Sequence, residues 1–275
     1  MNAVGIDVGG TKVYCLAEYQ GRRYEHRAPT GYACTAPALR DALFAYLDTL
    51  PFVPDVLGMA IPGLLEGDDY VARSNVVPGL DAVGADFFSY RGCPVYFIHD
   101  LKAGLLGEAE AYKPEETVAV VMAGTGIAAA VRSGGQIYLG SKGWSGELGS
   151  CPILVGEEVA TLDELSSGAA ILRRAGVDAA TLRDHLEAGD PDFSALIAMA
   201  GRYFGLGLST FLNLFNPSVL ILGGSTVTYP GYLEAAQASL AYTLEEIRSA
   251  CRIVPAQDPV RMAAKGALTF AQMHG

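Results

Sequence analysis

The chain reads as an α/β protein built of two halves, and three observations lead there. A strand, a double-glycine turn and a returning strand open the sequence over residues 4–17. The same plan recurs over residues 117–131, around Gly124-Thr125-Gly126. In each half the hairpin is followed by apolar runs of strand length that alternate with stretches at helical spacing. A chain of 275 residues is long enough for about two average domains and a sizeable core.

The opening stretch, Gly5-Ile6-Asp7-Val8-Gly9-Gly10-Thr11-Lys12, carries an alternating apolar strand into an acid and two glycines. Gly9-Gly10 permits a tight turn whose backbone N–H groups can face an anion, before residues 13–17 return as a second strand. This is a hairpin cradle; the Lys-Ser/Thr ending of a strand-to-helix phosphate loop is missing. Asp7 sits where a carboxylate can hold a phosphate-bound Mg²⁺ through water. Read alone, the same residues also make an ordinary Gly-Gly hairpin with an exposed Asp, Thr and Lys.

Residues 36–50 place Leu39, Leu43, Tyr46, Leu47 and Leu50 at helical spacing, with Thr35 as N-cap and Pro37 in the first turn. Residues 56–61 form a buried strand closed by Pro62-Gly63, and a loop then carries Arg73-Ser74-Asn75-Val76-Val77-Pro78-Gly79. The apolar strand 95–98 runs straight into His99-Asp100, and a helix follows over 101–112. An acid where a buried strand gives way to a helix is well placed to meet a ligand beside the sheet, and is equally a common helix cap.

In the second half, the strands at 117–123 and 127–131 flank the Gly124-Thr125-Gly126 turn, and Ser133-Gly134-Gly135-Gln136 makes a hairpin before 137–139. A glycine-rich loop over 141–150 holds Glu147 and the single tryptophan, Trp144, whose ring either stacks on a ligand or anchors its loop. Helical stretches follow at 167–175, 181–188 and 193–215, the last with Gly201, Gly205 and Gly207, which suggest close helix packing. A buried strand at 219–222 ends in Gly223-Gly224, and a helix from about 231, a strand at 252–254 and a helix over 261–273 complete the chain. Glu157-Glu158 reads as a solvated pair.

Composition narrows the function classes. The net charge of −11 repels phosphate backbones, and the 19 Lys and Arg form no basic cluster longer than two, so nucleic-acid binding is not expected. An anionic ligand such as ATP then needs local compensation from backbone amides and metal. Five cysteines, widely spaced and without a Cys-x-x-Cys pair, fit reduced thiols in the cytoplasm. The strand bearing Asp7 starts too early for a signal peptide, and the apolar run 118–131 is too short and too interrupted to span a bilayer, so no membrane partner is expected.

Taken together and in order, these motifs resemble the ROK sugar kinases, a family of repressors, open reading frames and kinases, over essentially the whole chain. Asp7-Val8-Gly9-Gly10-Thr11-Lys12 resembles the first phosphate motif and Gly124-Thr125-Gly126 the second, while Asn216-Pro217 through Gly223-Gly224 is similar to the segment leading to the adenosine site. His99-Asp100 matches an Asn-Asp pair, Gly146-Glu147-Leu148-Gly149 a Gly-Glu-x-Gly, and Asn75 an Asn-x-x-Pro-Gly sugar loop.

The resemblance implies a two-lobed fold of the actin and hexokinase type, ribonuclease H-like in each lobe, with nucleotide and sugar meeting in an interlobe cleft. Residues 1–112, completed by the C-terminal helix at about 258–275, form one lobe and 113–257 the other. It implies Mg²⁺-ATP as phosphoryl donor and a homodimer. Asp100 becomes the general base that takes the proton from the sugar hydroxyl. Asp7, Gly9, Gly10, Thr11, Lys12, Gly124, Thr125, Gly126, Gly223 and Gly224 serve ATP and its phosphates, with Asp7 on Mg²⁺ through water. Asn75, His99, Asp100, Glu147 and Asp163 serve the sugar.

Three departures stand out. Ser150-Cys151-Pro152 replaces the usual His and Cys-rich zinc loop, so no zinc is expected; Asp163 stands where the family has a sugar-binding Glu; and His99 replaces an Asn. They leave the sugar's identity open. They also keep two alternatives in view, a non-catalytic sugar sensor and a glucokinase that uses polyphosphate. A repressor's DNA-binding helix-turn-helix has no room ahead of residue 5.

Overall fold

The computed structural model describes residues 1–275, which fall into two compact units. In the first unit β1 (Ala3–Val8) turns back antiparallel as β2 (Lys12–Tyr19), which pairs with β3 (Arg22–Pro29). Helix α1 (Ala36–Leu47) starts on the Thr35 side chain, which accepts from the Ala38 N–H, and leads to β4 (Val56–Ile61), parallel to β1. A small sheet of β5 (Leu64–Glu66), β6 (Tyr70–Arg73) and β7 (Val83–Gly84) intervenes. Strand β8 (Val95–His99) then joins parallel to β4 and passes directly into α2 (Asp100–Ala109).

The alternation of β1 decides what covers each face. Val4, Ile6 and Val8 are fully buried in one core with Leu39, Leu43 and Leu47 of α1, each such side chain stabilising the fold by about 1.5–3 kcal/mol. Gly5 points the other way, where a Cβ would stand 2.0 Å from the Ala264 carbonyl oxygen in the C-terminal helix Met262–His274. Gly58 of β4 meets the same helix at Ala267. That helix can lie on the sheet only because these side chains are missing, and it packs on α2 in the same way, through Gly107 and Gly266. Asp7, two residues beyond Gly5, shares this face.

The second unit comprises residues 114–136 and 146–256. Its sheet has β9 (Val118–Ala123) between β10 (Ile127–Ser133), which continues to the short β11 (Gln136–Ile137), and two later strands. After β11 come the hairpin β12 (Pro152–Val155) and β13 (Glu158–Thr161), then helices α3 (Leu162–Ser166), α4 (Gly168–Ala175), α5 (Ala179–Glu187) and α6 (Pro191–Phe215). Strand β14 (Val219–Gly223) is parallel to β9; α7 (Tyr232–Ser239), α8 (Glu245–Ala250) and β15 (Arg252–Pro255) complete the unit. By length and composition α6 could cross a bilayer, yet here it is the core helix of this unit. Gly201 and Gly205 let the backbone of α7 approach it, and Gly207 meets Leu162.

Several elements differ from the sequence reading. Strand β3 escapes it because Arg22, Arg23, Glu25 and Arg27 face solvent along a sheet edge. The β5–β7 sheet and the β12–β13 hairpin are short and half-exposed, and although β12 carries the apolar run Ile153-Leu154-Val155, such brief segments do not stand out from loops by periodicity. The strand read at 137–139 is reduced to Ile137. The second lobe read as continuous over 113–257 is interrupted, since residues 137–145 belong to the first unit. The Trp144 indole N–H donates to the Leu65 carbonyl at 2.8 Å and the buried Lys102 ammonium donates to the Gly143 carbonyl, which fastens this segment there.

Candidate active site

Parallel pairing brings the ends of three strands of the first unit to one edge. Asp7 pairs with Ala60, and the next residue of β4, Ile61, pairs with His99. Asp100 follows as the first residue of α2, where the helix N-terminus favours a carboxylate. Its Oδ1 accepts the Leu101 N–H at 2.6 Å, which fixes the carboxylate plane, and with 40% of the side chain exposed Oδ2 can reach a ligand. His99 is the N-cap: its Nδ1 accepts from the same Leu101 N–H at 3.3 Å and lies 3.2 Å from Asp100 Oδ1. The capping job is therefore shared by two neighbouring side chains.

Asp7 feels this neighbourhood. Burial pushes its carboxyl up to about 7, the charge of Asp100 adds to the rise, and Lys12 opposes it. The two acids at this end of the sheet repel one another, and a cation such as Mg²⁺ beside Asp7 would relieve that repulsion.

The adjacent turn is a closed hairpin. The Gly9 N–H donates to the Lys12 carbonyl at 2.9 Å, so this amide is spent within the turn and those of Gly10 and Thr11 are the ones left to face an anion. Thr30, absent from the sequence reading, braces the turn from outside: its hydroxyl donates to the Gly9 carbonyl at 2.6 Å and its N–H to Thr11 at 3.1 Å. Thr11 and Lys12 are exposed. A Cβ on Gly10 would stand 2.7 Å from Val76 Cγ1, which puts the Asn75 loop against the turn. Exposed Asn75 accepts from Arg73 Nε at 3.0 Å through its Oδ1, leaving its amide N–H groups for a ligand. Ser74 shapes the loop, donating to the Pro62 carbonyl and accepting the Val77 N–H.

The second unit presents its own cluster. Gly124 N–H donates to the Gly126 carbonyl at 2.9 Å, while Thr125 and Gly126 are exposed. Carbonyls of this turn accept from Gly168 N–H at 2.7 Å, Ala169 N–H at 3.3 Å and the Thr226 hydroxyl at 3.0 Å. Gly223 is a buried strand residue against Met122, and Gly224, at φ +99°, approaches the Ala123 carbonyl so closely that only glycine fits. The Gly-Glu-x-Gly loop is tied to β10, with the Gly146 carbonyl accepting from Ala129 N–H at 2.8 Å. Glu147 is exposed, and its charge reaches Asp163. Asp163 Oδ1 accepts the Ile127 N–H at 2.7 Å. Burial raises the Asp163 carboxyl, the Ile127 N–H draws it down, and Glu147 and Glu164 add to the rise.

Where the resemblance would place a zinc loop, Cys151 leads into the β12–β13 hairpin, and no group of three or more His, Cys, Asp or Glu side chains gathers in metal-holding geometry. Trp144 anchors its loop through its indole N–H while 42% of the residue stays exposed.

Comparison with known proteins bears on the family and the fold. N-acetylmannosamine kinase of Escherichia coli (strain SMS-3-5 / SECEC) is 26% identical over 258 residues, covering 88% of this chain and 89% of that protein. The crystal structure of a ROK hexokinase from Thermus thermophilus matches 100% of this chain and 99% of its own with a TM-score of 0.85 at 26% identity. A ROK family glucokinase from Streptomyces griseus, solved with glucose and AMPPNP, shares the fold over 99% of this chain and 100% of its own, with a TM-score of 0.80 at 21% identity. The α/β fold of the actin and hexokinase type expected from the sequence is the fold observed. The family model described as ROK matches residues 3–274, and the chain belongs to the ROK family.

Proposed function

We propose that this ROK protein is a sugar kinase that transfers the γ-phosphoryl group of ATP to a hydroxyl of a hexose or amino sugar. The observation that carries the reading is the placement of Asp7 and Asp100 at the same edge of one sheet, at the ends of β1 and β8 with β4 between them, where the charge of one shifts the other, with a glycine turn beside them. Asp100 is the base. Leu101 N–H holds Oδ1, so Oδ2 takes the proton as the sugar oxygen attacks phosphorus. The positive end of α2 steadies the carboxylate before the transfer.

The candidate phosphate donors are the amides of Gly10 and Thr11 in the first unit and of Thr125 and Gly126 in the second, with the hydroxyls of Thr11 and Thr125 as further donors and Lys12 as a local positive charge. Gly9, Gly223 and Gly224 give these turns their shape, and Gly124 closes its turn through its backbone N–H. Asp7 would hold a Mg²⁺ ion, which would supply neutralisation of phosphate charge. Asn75 and His99 of the first unit and Glu147 and Asp163 of the second are the candidate sugar ligands, with His99 Nε2 free to donate while Nδ1 caps the helix. The working form is a homodimer, as the family resemblance implies.

The test is an ADP-release screen over hexoses, N-acetylated amino sugars, polyols and cyclitols, repeated with polyphosphate. Turnover of a hexose or N-acetylated amino sugar with ATP is the expected result. Turnover with polyphosphate alone would replace the donor, and no turnover with either donor would leave a sugar sensor.

A further inference from the structure

We propose that Asp163 is a positioning residue for the second glycine turn, holding the Ile127 amide so that the N–H groups of Thr125 and Gly126 stay arranged for a nucleotide phosphate. The inference rests on the sugar-kinase reading for its ligand, but its structural half stands on the geometry of this unit alone.

Most of the bonds that secure the turn act on its carbonyls: Gly168 N–H and the Thr226 hydroxyl on Gly124, and Ala169 N–H on Thr125. The Gly124 N–H closes the turn on itself at Gly126. Asp163 supplies the opposite kind of contact, an acceptor for the N–H of the first residue after the turn, at 2.7 Å. Ile127 is 4% exposed, so without that acceptor its amide would be buried and unpaired. The carboxylate is itself fixed by chain connectivity. Asp163 lies in α3, and its own carbonyl accepts the N–H and hydroxyl of Ser167, the N-cap of the helix whose first two amides hold the turn. The α3–α4 junction therefore grips the turn by carbonyls and amide together.

Gly149 provides the room. A Cβ there would stand 2.4 Å from Asp163 Oδ1 and 2.5 Å from the Ile127 carbonyl oxygen, so any side chain at 149 displaces the carboxylate from the amide. The second glycine of Gly146-Glu147-Leu148-Gly149 thus serves the phosphate turn, through Asp163, rather than the sugar. The aspartate ends on this amide, its Oδ1 2.7 Å from the Ile127 nitrogen.

Three variants test this in the full-length protein. Asp163→Asn keeps an Oδ1 acceptor, whereas Asp163→Ala removes it and Gly149→Ala pushes it away. Hydrogen exchange of the Ile127 amide should quicken at least tenfold in the last two and stay within threefold of the parent in Asp163→Asn. Affinity for a non-hydrolysable ATP analogue, measured by calorimetry, should fall about tenfold in Asp163→Ala and Gly149→Ala while Asp163→Asn stays within threefold. Unchanged exchange at Ile127 in Asp163→Ala overturns the proposal. So does a loss of sugar affinity in Asp163→Ala with nucleotide affinity intact, which would make the residue a sugar ligand only. If the parent binds no nucleotide, the sugar-kinase reading fails on its own, and the exchange data still decide whether Asp163 holds the turn.

Discussion

The two glycine turns look alike in the sequence and are held by different means. The turn of residues 9–11 is a local object, closed by Gly9 on Lys12 and braced by Thr30 from the next strand connection. The turn of residues 124–126 is braced from far along the chain, by Gly168, Ala169 and Thr226 on its carbonyls and by Asp163 on the following amide. The first turn also lies beside two crowded acids, one of them with a strongly raised carboxyl pKa. Under the proposed function the difference is a division of labour, with charge and reaction in the first unit and a preorganised cradle in the second.

The sharpest way to break that division is Asp100→Asn, whose amide keeps the helix-capping bond from Leu101 but takes up no proton. We expect the turnover rate to fall by about 10³–10⁴ while sugar affinity stays within a few-fold. Steady-state rates and sugar calorimetry on the same preparation measure both. Near-parental turnover would remove Asp100 from the chemistry and with it the asymmetry between the units.

Asp7→Asn probes the other acid, and here activity and stability should move in opposite directions. Loss of the carboxylate removes the metal-positioning group, with kcat/KM expected to drop on the order of 10²-fold. The folded-state pKa of Asp7 is raised from 3.8 to about 7, so folded protein holds this proton longer than unfolded chain does. Stability from that proton is fully present below about pH 4 and is lost as pH rises towards 7, so the charged carboxylate costs up to about 4 kcal/mol above that. The asparagine variant should therefore be more stable than the parent at pH 8 and show little gain at pH 4. Denaturant titrations at both pH values decide it; a gain of equal size at each would show that titration of Asp7 is not the cause.

How far these features were legible follows from how local each one is. Asp7, Gly9-Gly10 and the strand around them announce themselves within eight residues, because alternation, an acid and a turn are all read from neighbours. His99-Asp100 was equally visible, although the sequence could not divide capping from chemistry, and the structure assigns the N-cap to His99. The supports of the second turn were hidden. Nothing near residue 125 points to Asp163, Ser167 or Thr226, since those contacts are made only when α3, α4 and β14 pack round one sheet. Thr30 lies close in sequence to its turn, yet it follows an edge strand whose charged residues concealed it.

A smaller effect compares the space at the two turns. At Gly10 a methyl group meets Val76 Cγ1 at 2.7 Å, and a β-branched neighbour yields little. At Gly124 the nearest atom to a new Cβ is Ser225 Oγ, at 3.9 Å. Gly10→Ala should lower kcat/KM about tenfold, with Val76→Ala in the same chain restoring most of it, while Gly124→Ala should stay within about twofold. Equal losses at both glycines would mean that backbone conformation rather than room sets their identity.

The mildest comparison removes one hydroxyl from each turn. Thr30→Val deletes the 2.6 Å bond to the Gly9 carbonyl, and Thr226→Val the 3.0 Å bond to the Gly124 carbonyl. Each bond contributes about 0.5–1.5 kcal/mol in general, but the Gly124 carbonyl still accepts from Gly168 at 2.7 Å after the change. The locally braced turn has less in reserve. We therefore expect the ATP KM to rise about threefold in Thr30→Val and less than twofold in Thr226→Val, with melting temperatures within about 4 °C of the parent. The reverse order in KM would place the weaker support in the second unit, against the preorganised cradle its bonding describes.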